Sequence, residues 1–355
     1  MPSEKRILII GGGLSGLTLA YLLSQQQINA DVLEASSRIG GRIQTIQGPL
    51  GTPLELGATW FNESHSRLLA LLDTLDLKKH PQVTKGTSLF QTSNTEPIQK
   101  FSVPEEENQS YRIVGGTQQL IEALIQKLDP NQIKLNSKVI QIKMENDGLK
   151  VGVSTGELIA ADLVVVCLPP QATASEIQFS PTLPDPMPQL LPLVQTWMGG
   201  SIKFVLEFEE PFWKKSGYSG MAFSHVGIIA EIYDHSNEGK TKFGFTGFLN
   251  ATASRLSLEE RQGLVLRHLG ELLEEKIPNP SIYQDKIWTD RLVLGANPII
   301  QRPHQYHGHP LLLQSYYHEK LFFAGTETST EYAGYMEGAI RSAERVAQQI
   351  LKEKG

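Results

Sequence analysis

The chain has 355 residues, 40% of them hydrophobic and 20% charged, which is enough for two interleaved folded units and unlike a disordered segment. A formal net charge of −6 leaves no basic stripe to neutralise phosphates, so nucleic acid is not an expected partner. The single cysteine excludes an internal disulfide and a multi-cysteine zinc centre, and no run approaches the roughly 18 consecutive apolar residues of a membrane helix.

At the start, Lys5 and Arg6 lead into the short apolar run Ile7–Ile10, too brief for a secretory signal, so a soluble cytoplasmic protein is expected. A glycine cluster, a helical stretch over 14–26 and a second strand over 30–34 follow. Leucines at 68, 69, 71, 72 and 75 form one apolar face of a helix over 64–75. Residues 79–110 lose all periodicity and fill with Thr, Ser, Pro, Gln and acids. Glu105, Glu106 and Glu107 read as a solvated loop, and the chain is expected to leave its first domain here.

After Gly115 and Gly116, Thr117 stands where it can cap a helix with apolar positions 120, 121, 124, 125 and 128. Strands are expected around Val139 and Val151. The unbroken apolar run 163–168 suits a strand covered on both faces in a parallel sheet, and it makes Cys167 a buried small hydrophobe. Ile202, Phe204, Leu206 and Phe208 alternate with Ser201, Lys203, Val205 and Glu207, the pattern of a half-buried strand. Ser257 and Glu260 form a capping box for a helix to about Leu273. A strand over 321–324 and a helix from about Gly334 close the chain.

Two constellations carry chemistry. Gly11, Gly13 and Gly16 make a G-x-G-x-x-G turn between strand and helix, with Glu34 ending the next strand. Bare backbone lets a pyrophosphate approach the helix N-terminus, Gly16 allows close packing, and Glu34 can accept from ribose hydroxyls. Alone, this motif does not separate FAD from NAD. The second constellation is Arg38-Ile39-Gly40-Gly41-Arg42 together with the distant Gly325-Thr326-Glu327. It offers another close backbone approach, a cation and a second ligand-facing helix start. His304, His307 and His309 have a spacing that could suit a metal, but no helix, strand or acid cluster fixes them. A loop near the site opening is expected, with no metal.

These motifs, with Glu34-Ala35, Gly57-Ala58-Thr59-Trp60 and Gly334-Tyr335-Met336-Glu337-Gly338, resemble the flavin monoamine oxidase family over about 1–77, 112–210 and 286–351. The resemblance implies non-covalent FAD bound by Gly11, Gly13, Leu14, Ser15, Gly16, Glu34, Ala35, Gly41, Arg42, Gly325, Glu327 and Met336. It implies that Gly57, Ala58, Thr59 and Trp60 pass close to the flavin ring and that Val139 lies near the adenine. Lys203 matches the lysine that holds a water against flavin N5, Tyr335 one of two aromatics flanking the substrate nitrogen, and Trp288 a tryptophan beside the cofactor. The chain departs from the family in three places. Asn297 stands where some members carry a flavin-linked cysteine, Pro298 replaces the second cage aromatic, and the span between Leu77 and Gly115 is too short for a helical insert that covers the cavity in many relatives.

The expected fold is therefore α/β: a doubly wound, Rossmann-like FAD-binding domain from 1–78, 111–195 and 291–355, with an inserted α+β substrate domain from 79–110 and 196–290. The expected reaction oxidises an amine C–N bond to an imine by hydride transfer to flavin N5, and oxygen restores the flavin and yields peroxide. An amine and oxygen are the expected partners, and a homo-oligomer is left open. The alternatives are a dehydrogenase, desaturase or amino-acid oxidase of the same fold, and a flavoprotein subunit without turnover.

Overall fold

The structure is a computed structural model, described for residues 5–104, 109–145, 148–296 and 302–352. Asn297, Pro298 and the trio Glu105, Glu106 and Glu107 lie outside the described residues.

A five-stranded parallel sheet forms the first layer, in the order Leu321–Phe323, Leu163–Val166, Ile7–Ile10, Ala30–Leu33, Ile133–Lys134. Strands Leu163–Val166 and Ile7–Ile10 are apolar at every position because both faces are covered. Ile7 and Ile9 pack into one cluster with Leu17, Leu68, Leu120 and Ile340 from four helices. Leu8 and Ile10 face the other way, into a cluster with Val139, Ile142, Val151 and Ile159 from a four-stranded sheet.

A seven-stranded sheet forms the second body, in the order Ile282–Ile287, Ile202–Phe208, Phe243–Leu249, Ile229–Asp234, Tyr218–Ser224, Thr87–Gln91, Gln99–Phe101. Helix Leu258–Leu273 begins at the Ser257–Glu260 capping box and covers one face, with Val265, Leu269 and Leu272 against Phe204 and Leu206. Among the described residues, no helix is long and apolar enough to cross a membrane.

Three sequence expectations are corrected. Residues 79–110, read as lacking periodicity, supply Lys79–Pro81 and the two strands at one edge of the large sheet. Their polar composition reflects an edge, since Gln99–Phe101 is exposed at every position. Strand Ile202–Phe208 is buried along its whole length rather than on one face. The hairpin Thr45–Gln47 with Pro53–Glu55 lies over its polar face, and Glu207 there accepts from the Leu50 and Thr52 amides, each at 2.9 Å. Burying four large apolar side chains on the opposite face contributes roughly 1.5–3 kcal/mol each, which outweighs burial of two charges that keep hydrogen bonds.

The third correction concerns Thr117, whose side chain makes no capping hydrogen bond to the helix it precedes. The start of helix Gln118–Gln126 is satisfied from the hairpin instead. Glu55 accepts from the Thr117 amide at 2.5 Å, and Thr45 Oγ1 accepts from the Gln118 amide at 2.9 Å. A buried carboxylate beside a helix N-terminus replaces the local hydroxyl.

Candidate active site

Strand Ile7–Ile10 delivers Gly11 in a left-handed conformation, φ +109°, and helix Leu14–Ser24 starts at Gly13 with neither a side-chain cap nor an acid in its first turn. Its first amides are therefore free to meet an anion. A Cβ on Gly16 would stand 2.1 Å from the Gly11 carbonyl oxygen, which fixes glycine where helix meets strand. A Cβ on Gly13 would meet nothing closer than the Gly41 Cα at 3.8 Å, so the space above this turn is open. Gly40 donates to the Gly12 carbonyl at 2.9 Å, laying the second glycine pair over the first. Glu34 accepts from the Gly12 and Ser36 amides at 2.8 Å each and keeps lone pairs for ribose hydroxyls. The Ser137 amide donates to the Glu34 carbonyl, which brings the chain to buried Val139 beside this strand end; Ala35 follows directly.

The two ends of the chain meet here. Gly325, φ +102°, donates to both Ser15 Oγ and Ser342 Oγ at 3.1 Å, and the two hydroxyls are 2.9 Å apart. Arg42 and buried Glu327 form a two-pronged ion pair, at 2.6 and 2.9 Å. Burial pushes the Glu327 carboxyl up, but Arg42 outweighs it and holds the group below its usual value. Thr326 Oγ1 donates to the Tyr335 carbonyl at 2.7 Å, just before helix Met336–Lys352.

Gly57 begins the segment that joins the two sheets: a Cβ there would lie 2.3 Å from the Arg42 carbonyl oxygen, and the Ala58 amide donates to that oxygen at 3.0 Å. Lys203, 2% exposed, reaches back from the large sheet. Its Nζ donates to the Gly57 carbonyl at 2.7 Å and to Thr59 Oγ1, and lies 4.8 Å from the Trp60 ring centre. Burial pulls its ammonium down to about 7; Glu55 opposes the shift and Arg112 adds to it. Trp288 is buried and donates through Nε1 to the Leu56 carbonyl at 2.8 Å, so it is fixed beside the same segment.

Tyr335 is placed differently from Trp60 and Trp288. It is 41% exposed, and among the described residues its ring neighbours are His304, Trp197 and His65. His304 itself stacks on Trp197 at 4.1 Å. His304 Nδ1 lies 3.2 Å from His307 Nδ1, within hydrogen-bond distance, while His307 Nε2 turns to the Gln195 carbonyl and His309 Nδ1 accepts from the Leu311 amide. Cys167 sits one residue past its strand, half-buried, and burial pushes its thiol up to about 12.

Cross-strand register reveals residues that motif reading missed. Lys203 pairs with Phe248, Phe248 with Glu231, Glu231 with Phe223, and Phe223 with Phe90, so these side chains share one sheet face. Tyr233 is on that face too, 4.8 Å from Trp60 and 5.8 Å from Phe223 between ring centres, and its hydroxyl donates to Glu231 at 2.8 Å. Glu55 had one readable signal, a carboxylate between two leucines directly before Gly57.

The family profile of the flavin containing amine oxidoreductases matches residues 14–102 and 91–351. The chain belongs to this family. The probable flavin-containing monoamine oxidase A of Dictyostelium discoideum is similar, 26% identical over 97% of this chain and 97% of its own. That alignment spans 458 positions, more than the 355 residues here, so the relative carries segments this amine oxidoreductase lacks. Amine oxidase A of Sus scrofa is 25% identical over 98% of this chain and 85% of its own. Among solved structures, putrescine oxidase bound to putrescine superposes with a TM-score of 0.84 at 21% identity, covering 98% and 99% of the two chains. Cyclohexylamine oxidase from Brevibacterium oxydans gives 0.84 at 20% identity, covering 99% of each. At such identities these two establish the fold alone. Family membership makes the protein an FAD-dependent oxidoreductase acting on small amines. The open glycine turn, the uncapped helix start and the acid at the next strand's end fit that cofactor.

Proposed function

We propose that this protein is an amine oxidase that uses oxygen, with non-covalent FAD stretched from Gly11–Gly16 and Glu34 to the Gly57–Trp60 segment. When bound, FAD supplies the two-electron acceptor and, once reduced, the donor to oxygen, so that amine becomes imine and oxygen becomes peroxide. The observation that carries this reading is Lys203, a buried cation held by the Gly57 carbonyl and Thr59 Oγ1 beside Trp60. A fixed ammonium there stabilises negative charge that develops on oxygen without solvent reorganisation.

In this reading the parallel sheet and its flanking layers, over 1–78, 111–195 and 291–355, hold the cofactor. Residues 79–110 and 196–290 form the substrate side. Trp60, Tyr233, Phe248 and Phe223 give an apolar wall that favours the uncharged amine by desolvation. Glu231 lies two strands from Lys203, roughly 10 Å at a strand spacing of about 4.8 Å. That distance suits a substrate with a second, cationic group away from the reacting carbon. Tyr335, Trp197 and His304 form an aromatic rim, with Trp288 fixed beside the cofactor segment. With only Cys167 in the sequence, and its thiol buried, no thioether to the flavin is proposed.

The test is Lys203→Met. The variant is expected to retain yellow FAD and to be reduced by amine anaerobically, yet to reoxidise at least tenfold more slowly on admission of oxygen. Unchanged reoxidation would remove the role given to Lys203, and slow reoxidation of the unaltered protein would favour a dehydrogenase.

A further inference from the structure

A cavity of about 280 Å³ opens beside strand Pro53–Glu55, lined by Glu55, His80, Arg112, His235, Asn237 and, on an exposed loop, Glu238 among others. None of the residues assigned to FAD or to the amine lines it. Arg112 and His80 are cross-strand partners in the short sheet of Lys79–Pro81 with Tyr111–Ile113, so both side chains leave the same face.

Arg112 is 5% exposed, and its Nη2 donates to the Ser236 carbonyl at 2.5 Å. Its Nε–H is enclosed and has no hydrogen-bond partner among the described residues. The neighbouring carboxylates are committed elsewhere. Glu55 accepts from the Thr117 amide and from Thr45, whereas Asp234 accepts from Trp213 Nε1 and the Ser236 amide and pairs with Lys214 at 3.0 Å. His235, 2% exposed, has a second enclosed nitrogen, Nδ1, without a hydrogen-bond partner among the described residues.

A guanidinium taken out of water without a contacting anion is costly, and this one is pulled down to about 10 by burial. Burial and then Arg112 push His80 down to about 4, and burial, Arg112 and Lys203 hold His235 well below its ordinary value. The cavity wall thus combines a buried cation, two imidazoles that stay neutral beside it, the Glu55 carboxyl already held by Thr45 and the Thr117 amide, and two unfilled hydrogen-bonding positions. What completes such a wall is negative charge with acceptor oxygens.

We propose that this cavity binds one small oxyanion (inorganic sulfate or phosphate, or a short carboxylate) on Arg112 Nε–H, with His235 Nδ1–H as a second donor. The site is distinct from the amine-oxidising centre and does not depend on which amine that centre accepts.

The test is calorimetric titration of the FAD-loaded protein, so that the glycine-lined helix start is already filled. Sulfate, phosphate and acetate are titrated separately, with sodium chloride keeping the ionic strength constant. One saturable site is expected, at least tenfold weaker in Arg112→Gln and partly retained in Arg112→Lys. Binding by sulfate or phosphate identifies an inorganic oxyanion, and binding by acetate alone identifies a carboxylate. Equal affinity in Arg112→Gln, or no saturation by any of the three below about 10 mM, overturns the proposal. Crystals of the unaltered protein soaked in selenate decide the matter even if Arg112→Gln does not fold. Anomalous selenium density in this cavity, with an oxygen within about 3.2 Å of Arg112 Nε, supports the site. Its absence from the cavity, together with no saturable binding of acetate, overturns it.

Discussion

Lys203 shows how a residue's chemistry follows from where its strand is buried. On an exposed strand it would be a solvated cation, but the 57–60 segment and Phe248 lie against it and burial brings its ammonium to about 7. The charged form dominates below that value and is lost above it. Reoxidation of pre-reduced enzyme, measured without amine, should therefore slow as pH rises through about 7, and Lys203→Met should lose the dependence. A profile that is flat from pH 6 to 9, or unaltered in the variant, would count against the cation. Glu231 is the corresponding residue for specificity. Glu231→Gln should raise KM about tenfold for a diamine and little for a monoamine of equal length, the loss expected of one charge-assisted contact. Equal effects on both substrates would move the second-cation subsite away from Glu231.

Two helix starts in this protein, those of Gln118–Gln126 and Ser66–Thr74, are completed by acids from distant elements. Helix Ser66–Thr74 follows His65, which offers no cap, and buried Glu337 of the final helix accepts from the Arg67 and Leu68 amides at 3.2 and 2.8 Å. The same carboxylate accepts from Arg341 at 2.7 Å. Glu337→Gln keeps the shape but loses the charge, and should cost about 2 kcal/mol in urea unfolding. A change below about 0.5 kcal/mol would show that water serves these amides equally well. Helix Leu14–Ser24 differs from both, since its start has neither a side-chain cap nor an acid in its first turn and is open to a phosphate.

Across the whole molecule, FAD is expected to act as a structural strut as well as a reagent. Its proposed contacts lie on the first strand–helix turn, the 38–42 loop, the 57–60 segment and the Gly325–Glu327 turn, pieces that span almost the full sequence. A ligand bound only to the folded state at about 100 times its Kd adds about 2.7 kcal/mol. Denaturant unfolding with and without excess FAD should show a stabilisation of that order, together with slower amide exchange in both Leu14–Ser24 and Met336–Lys352. Protection confined to the first helix would contradict a cofactor gripped from both ends of the chain.

Local sequence by itself determined the parts that depend on neighbours along the chain. These were the glycine turn between Ile7–Ile10 and Leu14–Ser24, the Ser257–Glu260 cap, and the apolar strand Leu163–Val166, whose composition reports burial on both faces. Tertiary structure alone decided which acid caps which helix, because Glu55 and Glu337 act on amides far away in sequence. It also decided that Lys203, Phe248, Glu231 and Phe223 form one row, since strand register is fixed by packing between segments. The edge strands of 79–110 escaped the sequence for the same reason. Gln99–Phe101 borders solvent, and Thr87–Gln91 is a strand because it pairs with Gln99–Phe101 on one side and Tyr218–Ser224 on the other.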